Sequence, residues 1–246
     1  MSEPDTFMSH LIELRDRLLR CIVALLVVFI ALFPWASEIY ALVAKPMLAA
    51  LPNSGQMIAT GVVTTFFVPV KVTMLAALLI ALPFVLYQIW AFVAPGLYQH
   101  EKRLVAPLVI SSTILFFCGM AFAYFVVFPI VFTFLAKFAP AGVSYMPDIQ
   151  AYLDFVLTTF VAFGITFEVP IAVVVLVRAG VVSVSKLREI RPYVIVGAFV
   201  IAAIFTPPDV ISQLLLAVPL CALYEMGIVV ATWVARPQRA AQSDSA

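Results

Sequence analysis

Residues 104–136 read LVAPLVISSTILFFCGMAFAYFVVFPIVFTFLA, a stretch without one charged side chain. A helix needs about 20 apolar residues to cross roughly 30 Å of hydrocarbon. This run exceeds that length, so as a helix it must tilt or extend past the bilayer. Five other segments share its character: Leu19 to Ala36, Val70 to Val93, Leu153 to Ala179, Tyr193 to Phe205 and Val210 to Ala235. The Tyr193 to Phe205 segment covers only about 20 Å at 1.5 Å per residue. Either the membrane thins there or polar neighbours are drawn inward.

Composition agrees with lipid as the solvent. Of the 246 residues 65% are hydrophobic and 11% charged, with a mean hydropathy of +1.15. A water-soluble domain is nearer half apolar and a quarter charged. In hydrocarbon every backbone polar group must be satisfied internally, which favours helices. The expected fold is therefore an all-α integral membrane protein of six transmembrane helices, kinked, with short helices five and six. Residues 1–236 read as a single six-helix transmembrane domain, and 237–246 as a polar, disordered cytoplasmic tail. An uncut first span is expected rather than a signal peptide, because no clean small-x-small cleavage site follows it.

The basic residues sort by loop. Arg15, Arg17 and Arg20 precede the first span, and Lys102 and Arg103 lie between the second and third. Arg178, Lys186, Arg188 and Arg191 lie between the fourth and fifth, and Arg236 and Arg239 follow the sixth. Only Lys45, Lys71 and Lys137 fall on the other side. The positive-inside rule then places both termini in the cytoplasm. Ser37 opens an outer loop running to Pro69, with the Asn53-Ser54-Gly55 turn signal inside it. Thr206-Pro207-Pro208-Asp209 makes a tight hairpin in which Asp209 can cap the sixth helix. Pro83, Pro107, Pro129, Pro170 and Pro219 interrupt spans, where each either bends its helix or is simply tolerated.

Much chemistry is excluded. The chain has no Gly-rich phosphate loop, no Ser or Cys nucleophile with a matching His and Asp, and no cluster with metal-ligand spacing. Cys21, Cys118 and Cys221 sit singly in apolar runs. No enzyme activity, catalytic residue, cofactor, metal or nucleic-acid partner is expected.

The remaining polar residues carry what function there is. In Ser9-His10-Leu11-Ile12-Glu13-Leu14-Arg15-Asp16-Arg17-Leu18, the leucines Leu11, Leu14 and Leu18 share a helical stripe. This reads as an amphipathic helix lying on the cytoplasmic surface before it turns into the first span. Glu13 and Arg17 stand at i, i+4. Glu101, in Gln99-His100-Glu101-Lys102-Arg103, falls on the same side of the membrane. Two carboxylates there can hold two guanidinium groups by bidentate forks, or each can be merely solvated; spacing leaves both readings open. Glu168 lies about 15 Å along the helix from Arg178, a depth where a charge costs about 2.5–3.5 kcal/mol on insertion scales. It is expected in a polar intramembrane patch with Gln88 and Gln213, partly protonated at neutral pH, or as a structural carboxyl bonded to a neighbouring helix. Glu225 in the sixth span poses the same question.

These segments also resemble a known family. His10-Leu11-Ile12-Glu13-Leu14-Arg15, Tyr87 to Tyr98 running on to Glu101, Gly164 to Pro170, Arg191-Pro192-Tyr193 and Thr206 to Val210 are similar, in order and spacing, to motifs of the TatC family. That family supplies the receptor subunit of the twin-arginine protein translocase. The likeness runs from His10 to about Trp233. It implies a concave, cup- or glove-shaped six-helix protein of the bacterial inner membrane. It implies a signal-peptide site containing Glu13 and Glu101, with Arg15, Phe92, Leu97 and Tyr98 around it. Pro46 and Asp209 match functional positions of the outer loops. Glu168 and Gln213 match a patch that meets the single-span partners TatB and TatA. The implied role is binding twin-arginine signal peptides of folded cargo and nucleating a multi-copy complex for export driven by the proton gradient. The rival reading is a proton-coupled small-solute transporter or channel using Glu168. A membrane scaffold without a ligand is a third.

Overall fold

A computed structural model describes residues 3–51, 56–97, 105–137, 146–205 and 210–243. Tyr98, Glu101 and Asp209 lie outside the described residues. The described residues are all-helical, apart from one isolated parallel bridge between Ile58 and Asp148. Ten α-helices follow in order: α1 Glu3–Leu32, α2 Ala36–Ala50, α3 Thr64–Leu97, α4 Val105–Phe122, α5 Phe128–Lys137, α6 Ile149–Phe167, α7 Val169–Arg178, α8 Val184–Glu189, α9 Arg191–Phe205 and α10 Val210–Ser243. A 3₁₀ turn, Phe33–Trp35, joins α1 to α2, and a π turn, Ala123–Val127, joins α4 to α5. Five helical stretches are long and apolar enough to cross a membrane, and α9, at 15 residues, is a shorter sixth. The protein is a multi-pass membrane protein.

Several boundaries differ from expectation for local reasons. The amphipathic segment does not turn before the first span, because α1 runs unbroken through both. No glycine or proline occurs between Asp5 and Phe33, and a turn would leave backbone groups without partners. The first part of the expected outer loop, residues 37–50, is instead helical in α2, with Pro46 inside it, and its end, from Thr64, belongs to α3. The helix packs through Val43, Ala44 and Met47, and Tyr152 Oη donates to the Val43 carbonyl at 2.6 Å. The sixth helix is not short: α10 has 34 residues and remains helical past Pro237 as far as Ser243, over most of the stretch read as a disordered tail.

Prolines explain the two interrupted spans. Pro129 has no N–H to give the Phe125 carbonyl, and its ring would crowd that oxygen. The π turn widens the helix just before it, with Phe128 N–H reaching back to the Ala123 carbonyl. Pro170, in the first turn of α7, likewise withholds a donor from the end of α6. The chain responds with a single non-helical residue, Glu168, whose N–H bonds the Ile165 carbonyl at 3.0 Å. The helix restarts there, as Ala172 N–H bonds the Glu168 carbonyl at 3.0 Å.

The chain forms two compact units. One comprises residues 1–49, 53–113 and 146–153; the other comprises 50–52, 114–145 and 154–246. In the first, α1 packs along α3, and Val68, Val72, Leu75 and Ala77 of α3 are buried. In the second, α10 packs on α7 and α9, with Val173, Leu187, Tyr224, Ile228 and Ala231 as a core cluster. An aromatic series joins α4–α5 to α6, including Phe128 against Phe160 with ring centroids 5.0 Å apart. Glycines let these helices close up: a Cβ on Gly164 would collide with the Phe116 ring.

Candidate functional site

The polar residues of the first unit converge where the amino-terminal half of α1 meets the last turns of α3. Arg17 donates to a single oxygen of Glu13, from Nε at 2.9 Å and Nη2 at 2.7 Å. Its remaining terminal nitrogen, Nη1, donates to Gln88 Oε1 at 3.0 Å. The second Glu13 oxygen, Oε2, lies 3.9 Å from His10 Nδ1. The His10 ring stacks on Phe92 with centroids 4.4 Å apart. Between Gln88 and Phe92 in sequence, Trp90 Nε1 donates to Ser112 Oγ at 2.9 Å. Ser9, Ile12, Glu13, Asp16, Arg17 and Arg20 line an open depression of about 340 Å³.

The i, i+4 spacing is what lets Arg17 reach Glu13. Buried Gln88 makes the pair more than a solvated surface contact, since it ties the guanidinium to a second helix. Gln88, read as a candidate for a polar intramembrane patch, gives its carbonyl to the Glu13 cluster, because its place on α3 faces α1. Arg15 does not join the cluster. It lies on the exposed side of α1 and forks onto Asp16 from Nε at 3.0 Å and Nη2 at 2.8 Å. Phe92 is brought in through His10, while Leu97 is the last residue of α3.

In the second unit, Glu168 is half-buried at the proline break between α6 and α7. Gln213 donates to the Phe199 carbonyl at 3.1 Å, tying α10 to α9. Pro46 sits within α2. Glu225 is answered by Arg191, whose Nη2 lies 2.6 Å from Glu225 Oε2. Beside this pair, Tyr224 Oη donates to the Leu187 carbonyl at 2.8 Å. Its partnership with Glu225 adds to the reading of Arg191 as an orienting positive charge and as part of the Arg191-Pro192-Tyr193 segment.

Asp148 was also missed. Its Oδ1 accepts from the Gln150 and Ala151 amides at 2.8 and 3.0 Å, capping α6. Its Oδ2 accepts from Thr60 N–H at 3.1 Å and Thr60 Oγ1 at 2.6 Å. The signal was there in Pro147-Asp148 ahead of an apolar run, a helix-start pattern. The Thr60 hydroxyl bond first, then the Ala151 and Thr60 amides, hold the Asp148 carboxyl down at about 2, from an ordinary 3.8. A depressed carboxyl contributes stability that is full above its unfolded value and lost as pH falls through the folded one. Protection of the Ile149 amide, which bonds the Ile58 carbonyl at 2.9 Å, is therefore expected to hold from neutral pH to about 4 and fall towards pH 2. Hydrogen exchange at Ile149 checks this, and Asp148→Asn should flatten the dependence.

Six apolar helical segments among the described residues, with a carboxylate, a guanidinium and an amide joined between α1 and α3, define a multi-pass α-helical membrane protein with a polar cluster between two of its helices. Residues 9–219 match the family model described as Sec-independent protein translocase protein (TatC). The chain belongs to the TatC family. It is 54% identical to the Sec-independent protein translocase protein TatC of Escherichia coli strain K12, over 93% of this chain and 89% of that one. The Haemophilus influenzae relative of the same name is 53% identical, over 94% and 90%, and that of Aquifex aeolicus 39%, over 95% and 98%. A crystal structure of the twin arginine translocase receptor TatC superposes with a TM-score of 0.81 at 40% identity, covering 91% of this chain and 98% of that one.

Proposed function

We propose that this protein is the signal-peptide receptor of a twin-arginine translocase, with Glu13 as one of the carboxylates that read the paired arginines. The observation that carries this reading is that Glu13 already grips a guanidinium, its own Arg17, through Oε1, while its side chain remains 41% exposed and Oε2 lies 3.9 Å from His10 Nδ1. The name of the superposed structure supports it. Glu101 supplies the second carboxylate, with Phe92, Leu97, Tyr98 and Arg15 around them. Glu168 and Gln213 offer a polar contact to the single-span partners TatB and TatA, and Pro46 and Asp209 act in the outer loops. The working complex contains several copies and lies in the bacterial inner membrane with both termini cytoplasmic. Transport draws on the proton gradient. The relatives are translocase proteins, which does not favour a small-solute transporter built on Glu168.

The test is binding of a paired-arginine signal peptide, against a paired-lysine control, to the detergent-purified chain. Hydrogen bonds to a charged group contribute about 1.5–3 kcal/mol, so Glu13→Ala and Glu101→Ala are each expected to weaken the arginine peptide roughly 10- to 100-fold. Equal binding of both peptides, unchanged by either substitution, would remove the site. Solute flux into liposomes, abolished by Glu168→Gln, would reinstate the transporter.

A further inference from the structure

Glu13, Arg17 and Gln88 form a relay that runs from the interior to the surface. Gln88 is 5% exposed, the Arg17 side chain 20% and the Glu13 side chain 41%. Three guanidinium donors are used: Nη1 on Gln88, and Nε with Nη2 together on Glu13 Oε1. The buried amide of α3 thus fixes the plane of the arginine, and the arginine fixes one oxygen of the carboxylate. The other oxygen, Oε2, is not used by Arg17 and lies 3.9 Å from His10 Nδ1.

We propose that Arg17 and Gln88 are positioning residues that give Glu13 its preference for arginine over lysine; this rests on the receptor reading above. A glutamate on a helix surface has several rotamers, and ordering it is a cost the ligand must meet. Here the carboxylate is ordered before the ligand arrives, so that cost is removed in advance. The benefit is unequal between ligands. A guanidinium is a planar fork that needs its acceptor in one orientation, whereas an ammonium is a point charge that accepts many. The positive charge of Arg17 opposes both ligands alike, since they carry the same charge. It lowers affinity for any cation without lowering the ratio between them. Orientation, in contrast, acts on the ratio.

The experiment therefore reads the arginine-to-lysine affinity ratio on the full-length chain in detergent, using synthetic paired-arginine and paired-lysine signal peptides. Gln88→Met keeps the length of the side chain and removes the carbonyl acceptor. Arg17→Lys keeps the charge and removes the fork. Each is expected to lower the ratio roughly tenfold, the worth of about one well-made charged hydrogen bond, chiefly through the arginine peptide. In a Glu13→Ala background neither substitution should lower the ratio further, because both act through Glu13. Gln88→Asn, which keeps the amide but falls short of Arg17, stands in if Gln88→Met does not purify as a folded monodisperse protein. An unchanged ratio, or a loss that persists undiminished in Glu13→Ala, overturns the positioning role while the receptor reading stands. So does a ratio that rises on Arg17→Lys, which would make Arg17 a competitor for the site. A silent Glu13→Ala removes the receptor reading itself, and the positioning role with it.

Discussion

Gly119→Ala is expected to destabilise the protein by about 3 kcal/mol, at the upper end of what overpacking a filled interior costs, and Gly119→Val by more. A Cβ at Gly119 would lie 2.5 Å from the Phe163 carbonyl oxygen and 2.9 Å from Cγ of Phe167. A side-chain tip can swing aside, but a carbonyl in the middle of a helix moves only with its helix. Separating α4 from α6 would also loosen the aromatic packing around Phe122 and Phe163, whose rings are 5.6 Å apart. Gly197, in α9, is the internal control, since nothing lies within 4 Å of the Cβ it would gain. Gly197→Ala should be neutral or stabilising by up to about 1 kcal/mol, the helix propensity difference. Reversible unfolding of the three variants in mixed micelles decides the matter. If Gly119→Ala unfolds like the parent protein, the close approach of α4 to α6 is wrong.

Arg191→Ala is expected to cost about 1 kcal/mol, the upper end for a half-exposed ion pair. The substitution strands Glu225 on α10 without the guanidinium that stands 2.6 Å from it. The loss should be local to the second unit, where Tyr224 and Leu187 already join α10 to α8. Glu225→Gln should cost less, because an amide oxygen still accepts from Arg191. The double substitution Arg191→Ala with Glu225→Ala should cost clearly less than the sum of the two single ones, because the second removes the stranded partner of the first. Strict additivity in that cycle would show that the pair is a surface contact contributing nothing.

The spans were legible because hydrocarbon imposes a length and a composition that one reads directly along the chain. Prolines were legible only as interruptions. That Pro129 would produce a π turn and Pro170 a single-residue break depended on which carbonyl each deprived and how the neighbouring turns could compensate. The helical character of α2 was hidden by Pro46 and by the turn residues near Asn53, which suggested a loop throughout. Gln88 shows the same limit at the site. Its sequence position, inside an apolar span, suggested only a polar intramembrane residue, and it is the packing of α3 on α1 that brings its carbonyl to Arg17.

By itself the sequence determined that the protein lives in a membrane, how many times its apolar segments recur and, through its motifs, its family. Those properties depend on sums and periods along the chain, and lipid reads sums and periods. Only the tertiary structure decided which donor meets which acceptor: Arg17 with Glu13 and Gln88, Arg191 with Glu225, Thr60 with Asp148. Hydrogen bonds form over about 3 Å, between residues up to 109 positions apart, so the partners are chosen by the register in which helices and loops pack.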